Sequence, residues 1–263
     1  MFMEERQRQI AAMIDQQGKV TIGELSARFG ISGESARRDL RALEQAGLCK
    51  RTHGGAIRRE QVSVLPPRDR NFDEMPVLDN YDRIAAHAVG LIRPGDMVYL
   101  TGGSFGFLML RHLPQDLRCT LVVNNADIAN RLRAFPNVDV YVAGGLMRKS
   151  GSIVDSMARE FMARLHFDLC FITGGGLTAA FGLSNGTDET AALQRQAIAN
   201  ARRRVLLMPS QKVGTDSFVK VCDAAAFDEL ITDWDCVEDE LLRLEDAGVQ
   251  VTVVAEEDAA DHA

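Results

Sequence analysis

At 263 residues, 46% hydrophobic and 25% charged, the chain has a globular composition and more material than one typical domain needs. No apolar run approaches the length of a bilayer span, which excludes a membrane-spanning class, and Met1-Phe2-Met3-Glu4-Glu5-Arg6 lacks the layout of a secretory signal, so a cytoplasmic location is expected. The net charge of −7 is unevenly divided: residues 1–59 carry eleven Lys and Arg against seven Asp and Glu (+4), while the remaining 204 carry nineteen against thirty (−11). A basic module joined to an acidic one permits local attraction to phosphate without general adhesion to polyanions.

The first predicted helix rests on Ile10, Met13 and Ile14 at helical spacing, with Gly18 as its stop. Thr21-Ile22-Gly23-Glu24 has the layout of a capping box, and a second helix is expected over 22–29, followed by Gly30 as a turn residue. Ser32 is an N-cap candidate for a third helix, whose apolar stripe is Ala36, Leu40 and Leu43 and which ends at Gly47. Residues 48–59 are short, basic and broken by Gly54-Gly55, as a two-stranded wing with a tight turn would be.

Residues 60–79 contain Pro66, Pro67 and Pro76 among charges and read as a linker. Beyond them, apolar runs at 97–100, 121–123, 138–142, 169–172, 205–208, 230–232 and 249–254 alternate with amphipathic helical stretches. Near-continuous apolar strands separated by helices indicate a mainly parallel sheet covered on both faces. The acidic end from 256 to 263 is expected to fray. Five widely spaced cysteines without a C-x-x-C pair indicate neither a disulfide framework nor a zinc site, and Cys119 and Cys170, inside apolar runs, read as buried thiols.

Ser35, Arg37, Arg38 and Arg41 lie opposite the apolar stripe of the third helix. A basic helix face is by itself ordinarily just solvated. Here it follows a second helix with a tight turn and precedes the basic run Lys50-Arg51-Thr52-His53-Gly54-Gly55, which favours phosphate contact and reading of guanine edges. In the second half, three glycine loops follow apolar strands: Thr101-Gly102-Gly103-Ser104, Ala143-Gly144-Gly145 and Thr173-Gly174-Gly175-Gly176. One such loop is an ordinary strand-to-helix turn. Three at corresponding strand ends suit backbone N–H groups presented to an anion.

Together, Ser32-Gly33-Glu34-Ser35-Ala36-Arg37-Arg38-Asp39-Leu40, Leu43, Gly47-Leu48 and Arg51-Thr52-His53-Gly54-Gly55-Ala56 resemble the DNA-binding signature of the DeoR family of bacterial repressors. The resemblance implies a third helix in the major groove and a His-Gly-Gly wing. The implied DNA-side set is Thr21, Ser32, Glu34, Ser35, Arg37, Arg38, Arg41, Arg51, His53 and Gly54. It extends through most of the chain and implies a C-terminal fold similar to ribose-phosphate isomerases and coenzyme A transferases, binding phosphorylated sugars at the strand ends. The implied effector-side set is Thr101, Gly102, Gly103, Ser104, Asn124, Asn125, Gly144, Gly145, Gly174, Gly175, Glu189 and Lys212, where a turn or capping role for Asn124, Asn125 and Glu189, and a solvated surface position for Lys212, stay open. Departures accompany the match. Ser35 stands where the family usually has threonine, and Thr101, Gly175 and Pro209 stand where it usually has aspartate, removing sugar-hydroxyl acceptors and any general base for isomerisation.

The expectation is an α/β protein of two domains: a winged helix-turn-helix at 1–58, a linker at 59–78 and an effector sensor at 79–256. It would act as a repressor of carbohydrate catabolic genes, binding double-stranded operator DNA and a small sugar phosphate as a homodimer or homotetramer. No catalytic residue, metal or cofactor is expected. An enzyme with a DNA-binding appendage is the second possibility, opposed by the absent carboxylates. A winged helix that binds protein is the third, distinguished by salt-insensitive affinity.

Overall fold

The computed structural model describes residues 3–17, 19–45, 48–52, 54–58 and 78–256. The expected helix stops Gly18 and Gly47, wing residue His53, linker residues 59–77 and frayed end 257–263 lie outside the described residues. The chain divides into two compact units, Met1–Ser63 and Val64–Ala263.

In the first unit, α1 (Met3–Gln17), β1 (Lys19–Thr21), α2 (Ile22–Phe29), α3 (Gly33–Gln45), β2 (Cys49–Thr52) and β3 (Gly55–Arg58) enclose one small core. The predicted stripes supply it: Ile10, Met13 and Ile14 from α1, Leu25 from α2, and Ala36, Leu40 and Leu43 from α3 are all buried. Thr21 and Glu24 form the expected capping box, the Thr21 hydroxyl accepting from Glu24 N and Glu24 Oε2 accepting from Thr21 N at 2.8 Å. Gly30 ends α2 at φ 63°, the left-handed region that glycine occupies without steric cost.

The wing differs from the expected two strands, because β1 joins to give an antiparallel sheet in the order β1-β3-β2. Only Val20 of β1 turns inward, and three residues are too few to show a period in the sequence. This pairing explains Gly55, whose φ is not left-handed: a Cβ there would run into the Val20 carbonyl.

The second unit contains α4 (Asp79–Val89), β4 (Met97–Leu100), α5 (Ser104–His112), β5 (Cys119–Val123), α6 (Ala126–Leu132), β6 (Val138–Val142), α7 (Ser156–Met162) and β7 (Phe167–Ile172). It continues with β8 (Gly176–Thr178), β9 (Gly182–Asn185), α8 (Asp188–Ala199), β10 (Ala201–Leu207), β11 (Val219–Cys222), β12 (Glu229–Asp233), α9 (Glu238–Asp246) and β13 (Gln250–Val254). Seven strands form an all-parallel sheet, β13-β12-β10-β7-β4-β5-β6. Alternate residues feed two cores. Val98, Leu100, Leu169, Phe171, Val205 and Leu207 pack with Ile84, Phe105 and Ile128 of α4, α5 and α6. Tyr99, Cys170, Ile172 and Leu206 pack with Ala158, Leu193 and Leu244 of α7, α8 and α9. Each fully buried aliphatic or aromatic side chain contributes roughly 1.5–3 kcal/mol relative to exposure, so both faces stabilise the sheet.

All seven predicted runs fall in this sheet. The fifth begins earlier than its apolar part, because Arg202, Arg203 and Arg204 lie on β10 and their charges are paired laterally with Asp168, Glu229 and Asp228. Sequence reading missed the small antiparallel sheet β11-β9-β8, whose strands are short, with β8 and β9 each beginning at a glycine. Cys49, Cys119 and Cys170 are buried, and burial pushes the thiols of Cys119 and Cys170 up to about 11 and about 12.

Candidate DNA-binding helix and effector site

Helix α3 begins after Ser32, whose hydroxyl accepts from Ser35 N at 3.2 Å and lies 3.1 Å from the Ser35 hydroxyl. Of the implied DNA-side residues, Arg37, Arg38 and Arg41 are exposed on α3. Glu34 sits 3.7 Å from Arg37, both well exposed, an arrangement that contributes little in water and competes weakly with a phosphate. Arg51 is held against the other end of α3: its N–H donates to Glu44 Oε1 at 2.7 Å and its guanidinium lies 3.7 Å from Glu44 Oε2. Gly54 is exposed at the wing turn, where its carbonyl accepts from Ile22 N. The hydroxyl of Thr21 is spent on the cap of α2.

The residue most visibly missed here is Asp39, within the basic face but 1% exposed. Its carboxylate accepts from Arg6 Nε at 2.6 Å, from a second Arg6 nitrogen at 3.1 Å and from Gln7 at 3.1 Å. A fork of this kind fixes the rotation of α3 against α1 and so which arginines face outward. Arg6 lies on the first predicted helix, but its distance of 33 residues from Asp39 left no local signal.

In the second unit the chain runs from β4 outward through β5 to β6, then returns to place β7 on the other side of β4. Ligands of open parallel sheets bind beyond the carboxyl ends of the strands at such a switch point. Thr101-Gly102-Gly103-Ser104 follows β4, with Thr101 buried, Ser104 exposed, and Gly103 as the N-cap of α5 giving no side-chain acceptor to the first N–H groups. Thr173 and Gly174 follow β7, and a Cβ on Gly103 would lie 3.1 Å from Thr173 Cγ2. Lys212, in the 3-10 turn Ser210–Lys212 after β10, donates from Nζ to the Gly174 carbonyl at 3.1 Å. Thus 101–104, 173–175 and 210–212 are brought together. Gly175 approaches Ser217 closely enough that a Cβ would lie 2.8 Å from its hydroxyl oxygen.

Asn124 and Asn125 are buried beside them and hydrogen-bonded within the protein. Asn124 accepts from the Tyr99 hydroxyl and donates to the Ile153 carbonyl; Asn125 caps α6 by accepting from Asp127 N and Ile128 N, and donates to the Gly102 and Ser150 carbonyls. Both shape the loops, with Asn125 tying Gly102 in place. Gly144 and Gly145 are exposed after β6; Gly145, at φ 143°, packs against Asp155, which caps α7 and accepts from Leu146 N and Ala158 N. Those two bonds hold the Asp155 carboxyl below the usual range. Glu189 is exposed in the first turn of α8 and lies 3.5 Å from Arg148, a basic residue of the loop after β6 that sequence reading did not single out. An open cavity of about 620 Å³ lies elsewhere, along α6 and edge strand β6 between Ala129 and Val142.

A winged helix-turn-helix followed by a parallel α/β unit with a glycine-lined switch point defines a two-part transcription regulator. Residues 6–62 match the family model of the DeoR-like helix-turn-helix domain and residues 79–234 that of the DeoR C terminal sensor domain. The chain belongs to the DeoR family of DNA-binding transcription regulators. It is 31% identical to a chain of Escherichia coli O157:H7 named for transcriptional repression of the aga operon, over 96% of this chain and 94% of that one. It is 25% identical to the lactose phosphotransferase system repressor of Staphylococcus epidermidis, over 87% and 91%. Among solved structures, ribose 5-phosphate isomerase A of Methanocaldococcus jannaschii matches with a TM-score of 0.38 and 15% identity, over 51% of this chain and 53% of that one. The curated relatives are named as regulators rather than enzymes, and no helix among the described residues is long and apolar enough to cross a membrane.

Proposed function

We propose that the chain is a cytoplasmic repressor of carbohydrate genes, released from its operator by a small phosphorylated sugar bound at the β4–β7 switch point. The observation that carries this reading is the reach of Lys212 to the Gly174 carbonyl, which sets an ammonium among the glycine loops that follow β4 and β7. A lysine point charge with backbone N–H groups of Gly102 and Gly103 beside a helix start is suited to a phosphate. The absence of carboxylates at Thr101, Gly175 and Pro209 lowers the repulsion such a dianion would meet. Binding of the sugar and of DNA would favour different arrangements of a homo-oligomer, each weakening the other by the same factor. The DNA side would be formed by α3, with Arg37, Arg38 and Arg41 outermost, and by the wing.

A thermal-shift screen of the purified protein against phosphorylated and free sugars identifies the effector, because a ligand of the folded state raises the melting temperature. With that compound, Lys212→Ala is expected to leave operator affinity unchanged and to lower effector affinity by roughly 1.5–3 kcal/mol, the contribution of a charge-assisted hydrogen bond. Equal effector affinities would make Lys212 a surface residue. Equal loss of operator binding would point to a folding defect.

A further inference from the structure

Helix α4 is the first element of the second unit, entered directly from residues 59–77, and its second residue is a buried asparagine, Asn80, 7% exposed. Its side-chain Nδ2 donates to Asp233 Oδ2 at 3.1 Å and to Gln211 Oε1 at 3.3 Å, while Oδ1 accepts from Tyr81 N. Asp233, at the carboxyl end of β12, is fully buried; Oδ2 also accepts from Ser210 N at 2.7 Å and Oδ1 accepts from Asp235 N. A buried carboxylate needs each of these donors, so the three segments cannot shift independently without leaving a polar group unsatisfied. Ser210 and Gln211 belong to the same 3-10 turn as Lys212.

We infer that Asn80 is a positioning residue that couples the turn bearing Lys212 to the first turn of α4. Resting on the assignment of Lys212 to the effector side, this makes Asn80 the point at which occupancy of the switch-point loops is felt where the chain arrives from the DNA-binding unit. A ligand that draws Lys212 changes the strain on Ser210 and Gln211; Asp233 and Asn80 pass that change to the start of α4. The coupling is reciprocal, since bonds lost at either end release the other.

Hydrogen–deuterium exchange by mass spectrometry on the full chain tests this. Asn80→Ala is expected to speed exchange at 210–214 by about tenfold, the scale of one lost buried hydrogen bond in a local opening equilibrium, with β7 amides unchanged. Gln211→Ala, at an exposed position, is expected to speed exchange at 79–83 and decides the matter alone if Asn80→Ala does not fold. Unchanged exchange at the distant segment overturns the coupling. A second arm uses inorganic phosphate as probe: in the wild type it is expected to slow exchange at both 210–214 and 79–83, and in Asn80→Ala at 210–214 only, a loss that a merely structural pin would not produce. Protection confined to 210–214 in the wild type also overturns the proposal. Protection at neither segment, with both variants behaving as expected, supports the coupling and sinks instead the assignment of Lys212 to a phosphate.

Discussion

The arginines of α3 are exposed and the side chains between them are not, so each can be tested singly. Replacing Arg37, Arg38 or Arg41 with alanine is expected to weaken operator binding; one that reads a base should lose ~1–3 kcal/mol and specificity at that base, and one on a phosphate should mainly reduce the salt slope. Three variants with undiminished affinity would remove α3 from the DNA. Asp155 gives a pH test. Hydrogen bonds from Leu146 N and Ala158 N lower its folded pKa, so its contribution to stability is complete above the unfolded value of about 3.9 and is lost as pH falls through the lower folded one. Asp155→Asn, which retains a capping acceptor, should flatten the acid limb of a stability–pH profile; identical limbs would show that the charge contributes nothing. At this scale the sequence showed which residue types could meet an anion or a base edge. It could not show that Asn125, besides its local cap on α6, also donates to the Gly102 and Ser150 carbonyls, or that Asp39 is buried, because those facts depend on segments 23 to 33 residues away.

Elements were more legible than sites, for a physical reason. Strands covered on both faces are apolar at nearly every position, and α1, α2 and α3 carry stripes and caps at fixed spacing, so each announces itself locally. The strands that escaped notice, β1, β8, β9 and β11, are three or four residues long, too short to show a period; β1 and β11 also owe their extension to partners more than thirty residues away, while β8 and β9 pair with each other across a short turn. Helix packing in the first unit depends on one such distant partner. Arg6→Ala would leave the Asp39 carboxylate, 1% exposed, with only the Gln7 donor among its described side-chain bonds, and should cost about 1–3 kcal/mol, as loss of a charged donor from a half-buried pair does. The double change Arg6→Met with Asp39→Leu should recover much of it. Chemical denaturation followed by exchange protection in α3 reads both, and a loss below about 1 kcal/mol for Arg6→Ala would show the pair to be solvated.

Over the whole molecule, the split of charge into +4 for residues 1–59 and −11 for the rest sets how the protein meets DNA. Attraction is confined to the basic part, so operator affinity should fall steeply with salt, by a slope of about −0.9 per phosphate neutralised. A single small winged helix makes few base contacts, and the working unit is expected to be at least a dimer on repeats about 10 bp apart or a multiple of it; sedimentation of a monomer that protects one unrepeated site would sink this. The order of strands in the parallel sheet has a further consequence, for the making of the protein. The first strand synthesised, Met97–Leu100, is central, and it acquires one neighbour early, in Cys119–Val123, but its other edge stays open until Phe167–Ile172 has left the ribosome. At 5–20 residues per second that interval is on the order of seconds, with the N–H and C=O groups of that edge unpaired throughout. The wing needs no such wait, since its last strand ends at Arg58. A nascent chain can thus carry the complete set of DNA-binding elements while its second unit is still a half-sheet with an open edge, the kind of surface that pairs with neighbouring chains.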